Sequence, residues 1–349
     1  MTKYNNISFL ISFNNAINKT FQEIKNDKNM NNPQFYSMII DLMNIICKKN
    51  TYQSENENKQ ITVIQEDRMF ETILDFFNSI DVELYNKANE ILNNTYPNTK
   101  TYIYDFHKND PNHLSFYSIF YGEKQAKVYL PLRYSINEET SMKIDKKYGE
   151  DFYTIDDLYS VTHEIAHLLD INPENFEKSP SKTRDILTEV TPGIFELYLS
   201  DYLLKNEIFD VNVINNKKSY NNNKLLTHAN MCRIKLNFLE LKRKKGEITE
   251  EDIKLMMKKD VLNQDEFIKI INLIVKSSVS ITENKRYAFC LMYAPIIFQK
   301  SKNVSDHTPL KKYLNECSKN LPFTDILDDF GIHFKKEIDI YRNQDDYEK

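Results

Sequence analysis

Residues 154–169 read TIDDLYSVTHEIAHLL and hold both the clearest helix signal and the clearest chemical motif of the chain. Thr154 offers a hydroxyl cap and Asp157 follows three positions later, a pair that is typical of a helix start. Apolar residues then recur at helical spacing as one stripe, made of Leu158, Val161, Ile165 and Leu168. The segment is therefore predicted to be a helix with one buried face.

Within this helix stands the pattern His163-Glu164-Ile165-Ala166-His167. Two histidines four residues apart lie on the same helix face, so both imidazoles can bind one Zn²⁺ at about 2.0–2.1 Å. Glu164 is rotated by about 100° from His163, which places it beside the metal as a general base. With 7 His in 349 residues, chance produces this pattern on the order of once per hundred such chains. The alternative interpretation is a partly exposed helix that carries two unrelated histidines.

A catalytic zinc site needs a third protein ligand, and two glutamates downstream qualify. Glu189 follows His167 after 21 intervening residues, and Glu196 lies seven positions further on. On a helix both carboxylates lie on nearly the same face, so one would bind the metal and the other would orient an imidazole. Pro192 removes a backbone hydrogen bond to Thr188 and is expected to kink or restart the helix. On these residues alone, either glutamate can be the ligand.

Outside this motif, the sequence predicts a mainly α protein. Apolar residues recur at helical spacing through residues 1–95, which form a predicted N-terminal helical region. Residues 96–349 form the predicted catalytic domain, with the metal helices at 154–204 and the C-terminal helices at 225–345. An Asn-rich break at 215–223 is expected to separate those two groups of helices. The two regions can also belong to one continuous domain.

A small antiparallel β-sheet is expected between residues 100 and 135, ahead of the motif helix. Its strands are predicted by short aromatic and β-branched stretches at 101–106, 115–121 and 127–134. Residues 122–125 are the expected hairpin connection. Pro131 cannot donate a ladder hydrogen bond, which predicts that the last strand lies at a sheet edge. An extended peptide substrate could add to that edge at a binding segment made of Val128, Tyr129 and Leu130.

The composition argues against several classes of protein. The 46 Lys and Arg against 51 Asp and Glu leave a net charge of −5, too small an imbalance to predict a nucleic-acid or membrane partner. No run approaches the roughly 18 apolar residues that cross a bilayer, and the N-terminus is a weak signal peptide. The four cysteines are scattered without a CxxC pair, as in a reducing compartment. We therefore expect a cytoplasmic protein; the alternative is secretion without an obvious signal peptide.

Residues 188–204, which read TEVTPGIFELYLSDYLL, resemble a segment of a known family. It is the segment that carries the third zinc ligand in oligoendopeptidase F and the thimet-type oligopeptidases, HExxH metallopeptidases of the gluzincin class. More loosely, KRYAF at 285–289 resembles the Tyr-rich helix of that family, and LPFTDIL at 321–327 resembles its closing helix.

The resemblance implies a zincin-like fold in which the first glutamate of the pair is the ligand. One Zn²⁺ would then be held by His163, His167 and Glu189, with Glu196 as support. The sequence departs from the family at Ala166, where glycine is usual, and it lacks the further histidine that follows the family motif. Family chains are generally longer, so we expect a divergent, compact relative with a more open cleft.

Together these residues predict a zinc metallopeptidase that hydrolyses oligopeptides. Glu164 would take a proton from the attacking water and return it to the leaving amine. The resemblance also implies a tyrosine that binds the oxyanion, for which Tyr287 is the candidate, with Tyr293 and His228 behind it. One alternative is an effector-like or toxin-like zinc endoprotease specific for a single protein. The other is a non-catalytic zincin-like binding protein, although a purely structural site has no use for the base Glu164.

Overall fold

The computed structural model describes residues 7–27, 30–53, 61–105, 126–133, 136–171, 186–304, 306–319, 321 and 323–333. This part of the chain is mainly helical, as predicted. The helices are α1 (Ile7–Asn26), α2 (Pro33–Lys49), α3 (Glu66–Ile80), α4 (Val82–Leu92), α5 (Glu138–Tyr148), α6 (Ile155–Leu169), α7 (Val190–Lys205), α8 (Val211–Lys245), α9 (Glu250–Lys259), α10 (Gln264–Lys276), α11 (Ile281–Lys302), α12 (Thr308–Ser318) and α13 (Phe323–Asp329). The strands are β1 (Val63–Gln65), β2 (Thr99–Asp105), β3 (Ala126–Leu132) and β4 (Phe152–Thr154).

The strands form two small sheets of two strands each among the described residues. The antiparallel sheet pairs β1 with β4, which are three-residue strands that the sequence did not predict. Two of the three predicted strands correspond to β2 and β3, which pair in parallel from Thr99 opposite Ala126 to Asp105 opposite Leu132. The prediction of an antiparallel sheet was therefore wrong for this pair. Parallel neighbours need a long connection, and residues 106–125 separate the two strands. The predicted strand 115–121 and connection 122–125 lie outside the described residues.

Strand β3 places one face in the core beside the motif helix. Val128, Leu130 and Leu132 alternate along it and are buried, and the strand packs against α6. Within the described chain β3 is hydrogen-bonded to β2 alone. The edge position predicted from Pro131 stays a prediction, because residues 115–121 lie outside the described chain.

The Asn-rich stretch at 215–223 is not a break between helices, because α8 runs through it from Val211 to Lys245. Asparagine is only a moderately poor helix former, so tertiary contacts can outweigh its preference for turns. Asn223 makes such a contact, since its side chain accepts from the backbone N–H of Gln53 at 2.8 Å and donates to the carbonyl of Gln53 at 2.9 Å.

The chain divides into two compact units, each built from separate segments. The first unit comprises Met1–Gln53, Asn221–Met292 and Gly331–Lys349, and the second comprises Ser54–Tyr220 and Tyr293–Phe330. The second unit contains the HExxH helix together with α3 and α4, which the sequence placed in the N-terminal region. The predicted boundary at residue 95 is thus not a boundary between these units.

The core of the second unit includes an aromatic pair of α3. Phe76 and Phe77 of α3 are fully buried, and their rings lie 6.5 Å and 5.6 Å from that of Phe195 on α7. In the first unit, Phe13 packs edge-on against Phe238 at 5.0 Å. All four cysteines are buried and free. Among the described helices, none is both long enough and apolar enough to cross a membrane.

A buried arginine holds the end of β3 against the start of α6. Arg133 is only 1% exposed, and its guanidinium pairs with Asp145 at 2.7 Å and with Asp105 at 3.6 Å. It also donates to Ser141 Oγ and to the carbonyls of Glu150 and Phe152. The backbone N–H of Arg133 donates to Asp157 Oδ1 at 2.5 Å. The edge strand and the first turn of the motif helix therefore share one carboxylate.

The start of α6 has the predicted cap, and this contact gives a first test. Thr154 and Asp157 form a capping box in which each side chain accepts from the backbone N–H of the other. We expect Thr154→Ala to lower the free energy of unfolding by about 1 kcal/mol, because one side of the box is lost. Urea denaturation followed by circular dichroism measures this change. Thr154→Ser keeps the hydroxyl and serves as the control; equal losses in both variants would assign the effect to the methyl group.

Candidate metal centre

The HExxH residues lie together in the middle and last turns of α6. The rings of His163 and His167 have centroids 4.8 Å apart and planes at 82° to each other. Glu164 and His167 are buried, and His163 is partly exposed. One potential ligand atom from each of these three residues lies within 4.8 Å of the others. The helix period alone explains the grouping of the two imidazoles.

The second contribution comes from α7, which packs against α6. Glu189 is the residue that precedes α7, and its Oε2 lies 3.4 Å from Nε2 of His163. Glu196, two turns later, has Oε1 at 2.7 Å from Nδ1 of the same ring. Pro192 lies in the first turn of α7, where a backbone N–H has no partner within the helix. The helix that begins near this proline, as expected, therefore places both carboxylates against His163.

The two carboxylates have different relations to the imidazole, and this distinguishes their possible roles. A carboxylate only accepts, so the short contact to Glu196 requires that Nδ1 of His163 carries a proton. Nε2 is then the nitrogen that faces Glu189 and that can bind a metal. A histidine ligand commonly donates its other N–H to a carboxylate in this way. The geometry thus fits Glu189 as a ligand and Glu196 as the residue that orients His163.

One separation between proposed donors matches that between two ligands of a tetrahedral zinc ion. Two ligand atoms at about 2.0–2.1 Å from such an ion lie about 3.3–3.4 Å from each other. The observed distance from Nε2 of His163 to Oε2 of Glu189 is 3.4 Å. Imidazole nitrogen and carboxylate oxygen are also the donors that zinc accepts. The residues present therefore fit the metal that the motif implies.

The electrostatic environment of His163 favours positive charge. Burial lowers the pKa of this histidine, but the nearby carboxylates of Glu189 and Glu196 and the charge of Glu164 raise it, with a net value of about 10. A pocket that holds a proton so firmly on an imidazole is one in which a cation is stabilised. The same negative charge would stabilise a divalent metal.

Two further polar contacts lie between α6 and α7, and together with those of His163 they form a row that we call the polar seam. On one side of His163, the hydroxyl of Tyr159 lies 2.8 Å from Ser200 Oγ. On the other side, Thr191 Oγ1 donates to Asp170 Oδ2 at 2.6 Å, and the hydroxyl of Tyr313 lies 3.3 Å from the same Oγ1. These contacts lie on either side of His163 and its two carboxylates.

The predicted substrate-binding segment on β3 has buried aliphatic side chains on one face and a tyrosine on the other. Val128 and Leu130 are fully buried, so only their backbone is a possible contact for a peptide. Tyr129 points to the other face, where its ring stacks on Tyr102 at 5.1 Å. Substrate binding along this edge stays a prediction.

The candidates for oxyanion binding lie in different units. Tyr287 belongs to the first unit, where its ring centroid is 4.4 Å from that of His228. Nδ1 of His228 accepts from the side-chain amide of Asn284 at 2.9 Å. Tyr293 is fully buried in the second unit. The proposed role of Tyr287 stays a prediction.

Sequence reasoning missed the residues that support the site. Arg133 carries no signal, because a single arginine in a strand end resembles any surface residue. Thr191 and Tyr313 were also missed, since their contact depends on the packing of α12 near the start of α7. Asp170 ends the motif helix, and nothing in the sequence indicates its contact with Thr191.

Comparisons with protein-family models, with curated proteins and with solved structures find no match to this chain.

Proposed function

We propose that this chain is a zinc-dependent metallopeptidase with a zincin-like catalytic unit, which hydrolyses peptide bonds in oligopeptides. The observation that carries the proposal is the placement of Glu189 against Nε2 of His163, beside an HExxH motif. The likeness of residues 188–204 to the ligand segment of the oligoendopeptidase F and thimet-type oligopeptidases supports the same assignment.

In this proposal His163, His167 and Glu189 hold the zinc ion. Bound zinc supplies Lewis acidity, which polarises the scissile carbonyl and makes water a stronger nucleophile near neutral pH. Glu196 keeps the His163 ring in one orientation and one tautomer through the 2.7 Å contact at Nδ1. The three protein donors leave a position for water or substrate, which distinguishes a catalytic from a structural zinc site.

Glu164 is the proposed general base. It lies on α6 next to His163, and its carboxylate is within 4.8 Å of the imidazole donors. It would accept a proton from the attacking water and return it to the nitrogen of the leaving amine. An oligopeptide in extended form would add to the edge of β3 that no described strand pairs with, through backbone hydrogen bonds that require little sequence preference.

The proposal is tested on the full chain by zinc analysis and a peptide assay. We expect a single tightly bound zinc ion per chain and cleavage of quenched fluorescent oligopeptides. Phenanthroline is expected to remove both the zinc and the activity, and added zinc should restore them. A chain that binds no stoichiometric zinc contradicts the proposal. Zinc binding without hydrolysis of any peptide or protein would indicate the binding-protein alternative, and cleavage of one folded protein alone would indicate the specific endoprotease.

A further inference from the structure

We propose that Thr191 is a positioning residue whose hydroxyl, held by Asp170 and Tyr313, keeps Glu189 in place as the third metal ligand. This inference rests on the proposed function. Thr191 touches neither the imidazoles nor any reacting atom in the arrangement described above. It acts through the first turn of α7, which begins beside Glu189.

The start of α7 lacks the usual means of holding a helix terminus. Most helices begin with a residue whose side chain accepts from the first free N–H groups. Glu189 occupies that position, but it makes no such hydrogen bond, and its side chain is directed towards His163 instead. Its backbone is also helical, with φ −90° and ψ −8°, rather than extended. The start of α7 therefore needs another anchor.

The hydroxyl of Thr191 provides this anchor. It donates to Asp170 Oδ2 at 2.6 Å, and the Tyr313 hydroxyl of α12 lies 3.3 Å away. Thr191 and Tyr313 are fully buried and Asp170 nearly so, which means that water cannot easily replace a lost partner. A buried and charge-assisted hydrogen bond of this length is strong and directional.

This hydrogen bond joins the two segments that carry proposed metal ligands. Asp170 ends α6 three residues after His167, and Thr191 stands two residues after Glu189. The contact between them therefore fixes the ligand-bearing end of α6 against the ligand-bearing start of α7. Without it, the backbone of Glu189 would be free to move relative to His163, and the separation of 3.4 Å would no longer be fixed.

The test is the zinc dissociation constant, measured by competition with a chromophoric chelator. Thr191→Val keeps the shape of the side chain and removes the hydroxyl. We expect it to weaken zinc binding by about 10–100-fold, the range seen when residues that support metal ligands are lost. Thr191→Ser retains the hydroxyl and is expected to bind zinc as the wild type does.

Ser200→Ala is the matched control, because it removes a buried hydroxyl at the other end of the same seam. We expect it to lower the thermal midpoint as Thr191→Val does, but to leave the zinc dissociation constant unchanged. Equal zinc affinity in Thr191→Val and wild type would overturn the inference, and so would equal weakening in Thr191→Val and Ser200→Ala. If Thr191→Val does not fold, Tyr313→Phe decides, with an expected weakening of about tenfold and wild-type affinity as the contrary result. A wild-type chain that binds no zinc would instead refute the proposed function.

Discussion

Replacing Glu164 with glutamine is expected to lower kcat/KM for peptide hydrolysis by about 10²–10⁴-fold, the usual contribution of a positioned acid–base group. The amide has nearly the shape of the carboxylate but cannot accept the proton of the attacking water. Zinc content should not change, because Glu164 is not one of the proposed ligands. Initial rates with a quenched peptide, together with zinc analysis of the same preparation, measure both quantities.

Glu90→Gln is a suitable control for this change, since Glu90 is an exposed residue of the same unit. It makes the same chemical substitution away from the motif and should leave the rate unaltered. If Glu164→Gln retained wild-type activity, Glu164 could not be the general base. If it lost zinc as well as activity, Glu164 would belong among the ligands.

Of the two glutamates near α7, Glu189 is expected to contribute more to zinc affinity than Glu196. Glu189→Ala deletes a proposed direct ligand, and we expect the zinc dissociation constant to rise by more than about 100-fold, beyond the range for residues that only support ligands. Glu196→Ala should raise it by about 10–100-fold, because His163 loses its orienting partner but keeps Nε2 available. Competition with a chelator gives both values on one scale.

These two variants form a matched pair, since they delete the same carboxylate two helical turns apart. The opposite order of effects, with zinc retained in Glu189→Ala and lost in Glu196→Ala, would exchange the assigned roles. Equal and small effects in both would show that neither carboxylate is a ligand. In that case the contacts of His163 would be those of a buried ion triad.

The sequence was most informative where local chemistry and helix period agree. The capping box at Thr154 and Asp157, the buried stripe of α6 and the restart of the chain near Pro192 were all predicted, and the structure has each of them. These features depend on residues within a few positions of each other, so a single sequence contains the necessary information. The closeness of Glu189 to His163 was harder to predict, because it depends on how α6 and α7 pack against each other.

Other features depend on information that a local pattern does not carry. Alternation of buried and exposed residues is the same in parallel and antiparallel strands, so the direction of β2 against β3 could not be predicted. The strands β1 and β4 are too short for their period to be recognised. Arg133 is buried only because several distant segments surround it, and no neighbour in the sequence indicates this.

The polar seam between α6 and α7 also helps to fix the register in which the two helices pack. Burial of apolar area is a weak guide to register, because sliding one helix along another by a turn, about 5.4 Å, keeps much of that area covered. Such a slip would take Glu196 away from Nδ1 of His163 and Asp170 away from Thr191, which leaves carboxylates in a poorly solvated interior at a cost of several kcal/mol each. A displaced docking of α7 is thereby penalised whether or not a metal is bound.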